Sequence, residues 1–488
     1  MTSMEDLVVL VQPETNILDR AKTRPTPPLP LLAAASRVAK RMRVALVDVR
    51  YDRRGWRKAL ADHLARKPVC VGVTSVTGNQ ILSTLEVVRY VRSVSDVPVV
   101  WGGVHATLFP DQVLREPSVD YVVRGEGEDT FDEIVAALST RKDVIGIRGL
   151  SHRRDGQIVH NEDRPFVNLD DLPEVPYELM GEEPYFYSQG KPTLYVETSR
   201  GCFSRCTYCY VSGFHLRRWR PQSASRVLER FDGLRDRWPV IRHLSLVDDN
   251  YFGEVKRMRV ISEGLIERGS PWSYQVQGAH IQVVSHLKID DFRLLARSGC
   301  ERLDMGLESA STSMHKIIRK RIDLDAVRNM NRMLGEVGIV PWYNIMVGFP
   351  GETTADLDVT RDYVMRLRDE NPKALFSPFY RVVPYPGTEL FATALEAGFE
   401  PPQSLEGWKN FHSDGADVPW QTRRGKKRIS QLFFLTMFFD RKSEIYNTNA
   451  IVRLLARIYR PIAAMRLRRN WMRLMPEYSL FRLVFNAS

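Results

Sequence analysis

The stretch Gly201 to Tyr210, GCFSRCTYCY, carries three cysteines, Cys202, Cys206 and Cys209, in the spacing CxxxCxxC, with an aromatic residue, Tyr208, directly before the last. Iron–sulfur clusters are held by cysteine thiolates. Three such thiolates can hold three irons of a 4Fe-4S cube and leave the fourth iron open to a small molecule. The competing reading is structural zinc, which takes four nitrogen or sulfur ligands in a tetrahedron. The nearest candidate for a fourth ligand is His215, because Cys70 and Cys300 are far away in sequence. Flanking elements favour iron: the β-branched run Thr193 to Ser199 (TLYVETS) leads into the cysteines, and a helix-like segment starting near Ser223 follows, as a βα unit requires. Cys300, inside SGCERLDMG, reads as a packed core thiol.

In this context the cysteine motif resembles the signature of the radical SAM superfamily. The resemblance implies a 4Fe-4S cluster on Cys202, Cys206 and Cys209 whose open iron is chelated by the amino and carboxylate groups of S-adenosylmethionine (SAM). It further implies an electron passed from the cluster to the sulfonium, giving a 5'-deoxyadenosyl radical, and an external electron donor of flavodoxin or ferredoxin type.

At 488 residues the chain has room for about three domains of roughly 100 to 200 residues each. Its 43% hydrophobic and 26% charged content is that of an ordinary globular protein. Apolar runs such as LFFLTMFF at 432–439 are too short to span a bilayer. No secretory signal opens the sequence, and five cysteines with three of them clustered point to a reduced compartment and a metal site, so a cytoplasmic location is expected. The formal charge of +11 is concentrated at one end. From Gln421 onward there are 15 Lys and Arg against three acids, Asp440, Glu444 and Glu477, a net of +12, so the preceding 420 residues are together near neutral.

Residues 1–150 alternate apolar runs with amphipathic ones. Leu7–Val11, Val44–Val49, Val69–Val76, Val97–Trp101 and Tyr121–Val123 read as strands, with helices near 57–65, 80–92 and 129–138. Such alternation predicts a parallel, doubly wound, Rossmann-like sheet with ligands at the carboxyl ends of its strands. Those ends carry Thr74, Ser75, Val76 and Thr77, then Gly102 and Gly103, then Gly125 and Glu126. The runs VGVTSVTGNQ, VVWGGVHAT and VDYVVRGEGE are similar to the cobalamin-binding domain of cobalamin-dependent radical SAM enzymes. That resemblance implies that these residues line the channel for the nucleotide tail of cobalamin. The Asp-x-His-x-x-Gly element that gives cobalt a ligand in other cobalamin domains is absent after the first strand, where the chain reads VQPETNILDR, so no lower histidine is expected on cobalt. His105 is read as a surface turn residue rather than a metal ligand.

Residues 151–190, with a hairpin-like start and several prolines, read as a linker. From 191 to 395 strand-like runs recur at Leu194–Thr198, His243–Val247, Trp272–Gln277, Arg302–Leu307, Tyr343–Val347 and Phe376–Val383, with helical patterns between. Repeated βα units predict a partial (βα)6 barrel with its chemistry at the carboxyl ends of the strands. The radical SAM resemblance assigns Asp248 and Asp249 to the methionyl ammonium, Glu308 and Ser309 to the ribose, and Asn344, Met346 and Gly348 to the adenine. Tyr208 would offer backbone polar groups to the adenine edge.

Residues 396–488 read as a mainly helical, basic region. In Ile451 to Met475 one helical face collects Ile451, Leu454, Leu455, Ile458, Tyr459 and Ile462, arginines lie opposite, and Pro461 should kink the run. A helical cap over the barrel mouth is the favoured reading of this face, and peripheral contact with an anionic membrane is the other. No nucleic-acid partner is expected, since no recognised motif accompanies the charge.

These readings converge on a cobalamin-dependent radical SAM enzyme. Its expected reaction is C-methylation of an unactivated carbon in a small molecule, a natural-product intermediate or a lipid. Relatives of this kind also form rings, contract rings or oxidise without methyl transfer, and a non-catalytic iron–sulfur or corrinoid-sensing protein is the remote alternative. Catalytic residues are not assigned from sequence. Replacing Cys202, Cys206 and Cys209 together with alanine should abolish the cluster in anaerobically reconstituted protein, and four irons retained per chain in an iron assay would contradict the assignment.

Overall fold

The computed structural model of the chain describes residues 6–15, 25–181, 186–188, 191–411, 418–445 and 450–479. The chain divides into two compact units. The first is Met1–Phe186 together with Tyr385–Gly387 and Glu400–Ala416, and the second is Tyr187–Pro384 together with Thr388–Phe399 and Asp417–Ser488.

The first unit is built on a sheet of seven strands among the described residues: β1 (Leu7–Gln12), β2 (Arg43–Asp48), β3 (Cys70–Thr74), β4 (Val99–Gly102), β5 (Tyr121–Val123), β6 (Leu150–Arg154) and β7 (Gln157–His160), in spatial order β2-β1-β3-β4-β5-β6-β7. Pairings from β2 through β5 are parallel. All six residues of β1, LVVLVQ, are buried, as expected of a parallel strand covered on both faces. Helices Trp56–Leu64, Gln80–Val94 and Glu128–Ser139 fall where the periodicity puts them. The order 2-1-3-4-5 is that of a doubly wound sheet, whose switch point lies between β1 and β3.

Two boundaries differ from expectation. The hairpin β6–β7, assigned to a linker, pairs antiparallel with β5 and extends this sheet. Glu400–Ala416, assigned to the C-terminal helical region, belongs to the first unit. The fully buried Trp408 ring there packs against His105, Phe109 and Phe411, and its Nε1 donates to Gln112 Oε1 at 2.8 Å. His105 is therefore not a surface turn residue: it is 0% exposed, its Nδ1 lies 3.1 Å from Thr77 Oγ1, and burial lowers its pKa to about 4. Of the loop after β1, residues 16–24 lie outside the described residues.

The second unit is a partial (βα)6 barrel. Short β8 (Phe186–Ser188) lies at one edge of the sheet. The strands β9 (Lys191–Val196), β12 (His243–Leu246), β13 (Ser273–Val276), β14 (Cys300–Glu308), β15 (Val340–Val347) and β16 (Leu375–Arg381) follow in sequence and in space, each parallel to the next. A separate two-residue pairing, β10 (Ser199–Arg200) with β11 (Arg220–Pro221), is antiparallel. The helices between the strands carry their own stops. Asp323 accepts from the N–H groups of Asp325 and Ala326 to open Leu324–Val337, and Gly338, at φ +83°, closes it. Thr353 and Asp356 form a capping box that starts Thr354–Glu370 directly after the GFPGE loop.

Among the described residues beyond 417 the elements are helices, Arg423–Phe438, Lys442–Ile445 and Ala450–Arg468. Ala450–Arg468 is a single helix that runs through Pro461. The cap expected of its apolar face is not made by that face, which is exposed at Ile451, Leu454, Leu455, Ile458 and Ile462. The helix packs instead through Ala456, Ala463 and Leu467, with the Tyr459 ring against Phe434 and Phe438. No helix among the described residues is long and apolar enough to cross a membrane.

Trp408 fills a closed aromatic site, so truncating it leaves a cavity. Trp408→Ala should destabilise the first unit by about 3–5 kcal/mol, measured by chemical denaturation, and a loss below about 1 kcal/mol would show that the segment is only draped on the surface.

Candidate active site

The cysteine loop leaves the carboxyl end of β9 and returns at Pro221, closed at its base by β10–β11. Its ends are held by Asp248, Asp249 and Asn250, just beyond β12. The Asp248 carboxylate is buried and accepts from the Thr198 N–H at 2.7 Å, Thr198 Oγ1 at 2.6 Å and Ser199 Oγ at 2.7 Å. Burial pushes the Asp248 carboxyl up, opposed by those donors. Asp249 Oδ2 accepts from the Gly201 N–H at 2.7 Å. The Asn250 carbonyl accepts from Trp219 Nε1 at 2.7 Å, on the returning side of the loop. Gly201 has φ +81°, and a Cβ there would stand 2.0 Å from the Arg218 carbonyl oxygen, so only glycine fits immediately before Cys202. At the far end of the loop, Thr207 donates to the Ile318 carbonyl at 3.2 Å and accepts from the Leu390 N–H at 2.9 Å.

Cys206 is buried, while Cys202 and Cys209 are partly exposed. Cys300 begins β14, so it stands at the end of the sheet opposite the cysteine loop, and Cys70 lies in the sheet of the first unit. The loop thus offers three thiols. His215 is engaged elsewhere: its Nδ1 is 3.3 Å from Arg220 Nη2 and its Nε2 is 3.6 Å from Asp249 Oδ2. Among the described residues no three of His, Cys, Asp and Glu converge on a single-ion site, as a tetrahedral zinc would require. A cube attaches its thiolates to separate irons, so three thiols on one loop suit it.

Facing the loop, the last residue of β14 is Glu308, in the left-handed region at φ +60°. Its buried carboxylate accepts from Tyr208 Oη at 2.9 Å and from Lys320 Nζ at 3.1 Å, and Lys320 Nζ is 3.3 Å from Tyr208 Oη. Burial opposes the Lys320 charge, but the neighbouring carboxylate prevails and its pKa is raised. The Tyr208 phenol is pushed well up by burial and by Glu308, so it remains a donor. A Cβ on Gly306 would stand 2.1 Å from Glu308 Oε1 and 2.7 Å from Lys320 Nζ, so a side chain there would push the ion pair out of place. Lys320 has no signal in the sequence, where it sits in the charge run RKR.

The other expected SAM positions divide. Ser309 is 0% exposed and its hydroxyl is taken up by Thr360 Oγ1 at 3.0 Å and the Ser311 N–H at 3.1 Å. Asn344 Oδ1 accepts from Trp342 Nε1 at 3.0 Å. Met346 packs against the apolar cluster of Met314, Ile318, Phe349, Val382 and Leu390, as does Tyr208. The Gly348 carbonyl accepts from Trp420 Nε1 and Gln421 Nε2, both at 2.9 Å, and its N–H donates to Glu352. Burial raises the Glu352 carboxyl to about 7. A cavity of about 1670 Å³ opens beside this loop, lined by Phe349, Glu352, Trp420, Arg424 and Arg473 among others. Asn250 adds a feature: it is wholly buried, and neither its amide nitrogen nor its amide oxygen has a hydrogen-bond partner. His280, after β13, reaches the cysteine loop through Ser204 Oγ at 2.6 Å, and burial lowers its pKa to about 4.

In the first unit the expected residues at the ends of β3 and β4 come together. Gly103 has φ +96°, and a Cβ on it would stand 2.6 Å from both Thr74 Oγ1 and the Ser75 carbonyl oxygen. Ser75 Oγ accepts from Trp101 Nε1 at 3.0 Å, Val76 is 47% exposed, and Thr77 faces His105. The Gly125 N–H donates to Thr107 Oγ1 at 3.0 Å, with open space where its Cβ would be, and Glu126 follows partly exposed. Most of these residues are small or hydroxylic, and they stand at the carboxyl ends of the strands, where doubly wound sheets take their ligands.

Lys320→Met would leave the buried Glu308 carboxylate with the Tyr208 phenol in place of the phenol and the ammonium together. It should cost about 3–5 kcal/mol of stability, and adding Glu308→Gln should restore more than half of the loss in a double-mutant cycle. Additive losses would show that the two groups do not interact.

Two family models match the chain: the radical SAM superfamily over residues 196–364 and the B12 binding domain over residues 18–135. An uncharacterized methyltransferase of Pyrococcus horikoshii is 30% identical over 401 residues, covering 81% of this chain and 84% of the relative. An anaerobic magnesium-protoporphyrin IX monomethyl ester cyclase of Synechocystis is 26% identical over 309 residues, 61% of this chain and 58% of the cyclase. The fold is that of the radical SAM methyltransferase TsrM from Kitasatospora setae, solved with cobalamin and a [4Fe-4S] cluster, at a TM-score of 0.70 over 96% of this chain and 99% of that one, with 16% identity. The chain belongs to the cobalamin-dependent radical SAM enzyme family, whose cofactors are a 4Fe-4S cluster, S-adenosylmethionine and cobalamin.

Proposed function

We propose that the protein is a C-methyltransferase acting on an unactivated carbon of a small molecule, a natural-product intermediate or a lipid. The observation that carries this reading is the long match to a methyltransferase, 401 residues spanning both family models. Together the bound cofactors would supply radical hydrogen abstraction and a methyl group.

The chain's own residues would do the holding. Cys202, Cys206 and Cys209 carry the cluster on a loop whose base is fixed. Asp248 is saturated by Thr198 and Ser199 and serves to position that loop. The ammonium of SAM then falls to Asp249, whose Oδ2 already holds the Gly201 N–H, and to the neighbouring buried amide of Asn250. Glu308 meets the ribose hydroxyls with its remaining acceptor capacity, held in place by Tyr208 and Lys320, since a carboxylate has room for further donors. Met346 and Phe349 pack on adenine beside Gly348. Thr74, Ser75, Val76, Thr77, Gly102, Gly103, Gly125 and Glu126 receive the nucleotide tail of cobalamin. A flavodoxin or ferredoxin supplies electrons.

The similarity to a cyclase supports a second reading, radical ring formation without methyl transfer. Anaerobic turnover with methyl-labelled SAM and candidate substrates separates the two. Methyl transfer gives labelled product together with S-adenosylhomocysteine and 5'-deoxyadenosine. Deoxyadenosine with an unlabelled, cyclised or oxidised product would replace methylation with the second reading.

A further inference from the structure

The cavity of about 1670 Å³ beside the GFPGE loop lies wholly within the second unit. Its wall is made by that loop, by the start of the helix Thr354–Glu370, and by residues within 420–431 and 470–479. Of the residues assigned to SAM above, only Gly348 and Phe349 line it, so it is a chamber separate from the side of the site that Tyr208 and Glu308 form. Small-molecule sites commonly enclose about 300–1000 Å³, so this one has room for a ligand of that kind.

The charge of the wall is lopsided. Arg424, Lys427, Arg428 and Arg473 line it against a single acid, Glu352. Arg428 is answered by Asp358 at 2.9 Å. The side chains of Arg424, Lys427 and Arg473 have no hydrogen-bond or ion-pair partner among the described residues. Glu352 turns a carboxylate oxygen to the Gly348 N–H, and burial raises its carboxyl to about 7, so it does not set a full negative charge against these cations. Arg424 stands three and four residues before Lys427 and Arg428 in the helix Arg423–Phe438, the spacings at which side chains are neighbours and like charges repel. A concave wall of one sign concentrates that field in the cavity. Between the cations the wall is apolar, with Phe349, Trp420, Met472 and Met475.

We propose that this cavity binds a small organic anion, a phosphate or carboxylate carried on an apolar body, with Arg424, Lys427 and Arg473 on the anionic group and Trp420, Met472 and Met475 against the body. Guanidinium and ammonium groups make their strongest hydrogen bonds to such oxygens, and arginine can meet them through two donors at once. A bare inorganic ion would leave most of the volume and the apolar wall unused. A neutral apolar molecule would leave three cations unanswered. The assignment rests on the wall alone and does not depend on the reaction proposed above.

Equilibrium dialysis of the full-length reconstituted protein tests this with 1-naphthyl phosphate and 1-naphthoate, which join an anion to an apolar ring system, against 1-naphthol, which lacks the charge, and inorganic phosphate, which lacks the rings. One or both of the joined probes should bind about tenfold more tightly than either control, and the tighter of the two tells a phosphate ligand from a carboxylate. Arg424→Glu with Lys427→Glu should weaken that binding by about tenfold or more, and Arg473→Glu by a few-fold. Arg453→Glu reverses an exposed charge outside the cavity and should leave binding unchanged. All of these variants change exposed side chains and should melt like the parent. The proposal is overturned if the joined probes bind no more tightly than 1-naphthol, or if the double variant binds them as the parent does. It is also overturned if Arg453→Glu weakens binding as much as the double variant, which would make the effect one of net charge. Displacement of the probes by SAM would return the cavity to the site already described and overturn it too. So would binding seen only after residues 480–488 are deleted, which would give the cavity to the chain's own last residues.

Discussion

One buried carboxylate holds the cysteine loop to the barrel. Asp248 stands at the end of β12 with its oxygens filled by Thr198 and Ser199, and Arg257 completes the clamp by donating to the carbonyls of Thr198 at 2.9 Å and Gln222 at 2.7 Å. Thr198 precedes the cysteines and Gln222 follows them, so one acid and one base close both ends of a loop that sheet hydrogen bonds alone would leave to two residue pairs. A hydrogen bond to a charged group contributes roughly 1.5–3 kcal/mol, more than a neutral one. Desolvation makes an unfilled carboxylate there costly, so Asp248 and its donors are retained or lost together.

The same logic ties the C-terminal tail to the barrel. Gly348 directly follows β15 at φ +87°, and its carbonyl receives both Trp420 and Gln421. A Cβ at 348 would stand 2.2 Å from Gln421 Nε2. The glycine therefore serves two ends: it allows the turn into GFPGE, and it lets the tail close against that turn. Downstream, the Thr436 hydroxyl accepts from the Phe379 N–H at 2.9 Å and Asp440 accepts from the Phe376 N–H at 2.9 Å, so the helix Arg423–Phe438 covers the edge strand β16. An uncovered edge would invite strand pairing with another chain.

What the sequence discloses here follows range. Parallel strands are apolar runs such as LVVLVQ, and helices announce themselves through local period and caps, so both sheets were legible and their boundaries moved by only a few residues. The cysteines and the polar residues at strand ends were legible because spacing is local. Partnerships across the chain were not. Nothing in RKR marks Lys320 as the buried cation of Glu308, and nothing near Trp408 says that its ring will cover His105, some 300 residues earlier. Periodicity identified the apolar face of the last helix but not whether that face turns inward. The deciding neighbours, Ala456 and Ala463, are small and mark the close approach only once the facing helix is known.

The Tyr208–Glu308–Lys320 cluster shows how a costly arrangement can still be used. A buried ion pair contributes little net stability, since desolvating both charges consumes most of the attraction. Glu308 adds backbone strain by sitting at a positive φ without being glycine. Gly306 gives up a side chain to make room. Three unfavourable choices at one point argue against a purely structural role, because an apolar trio of similar volume would hold the fold at lower cost. What the charged trio provides is placement: the phenol beside Cys209 is fixed by a carboxylate, and the carboxylate is fixed by an ammonium. The cysteine loop and the end of β14 are then in register before any ligand arrives, and binding need not supply the free energy of ordering them.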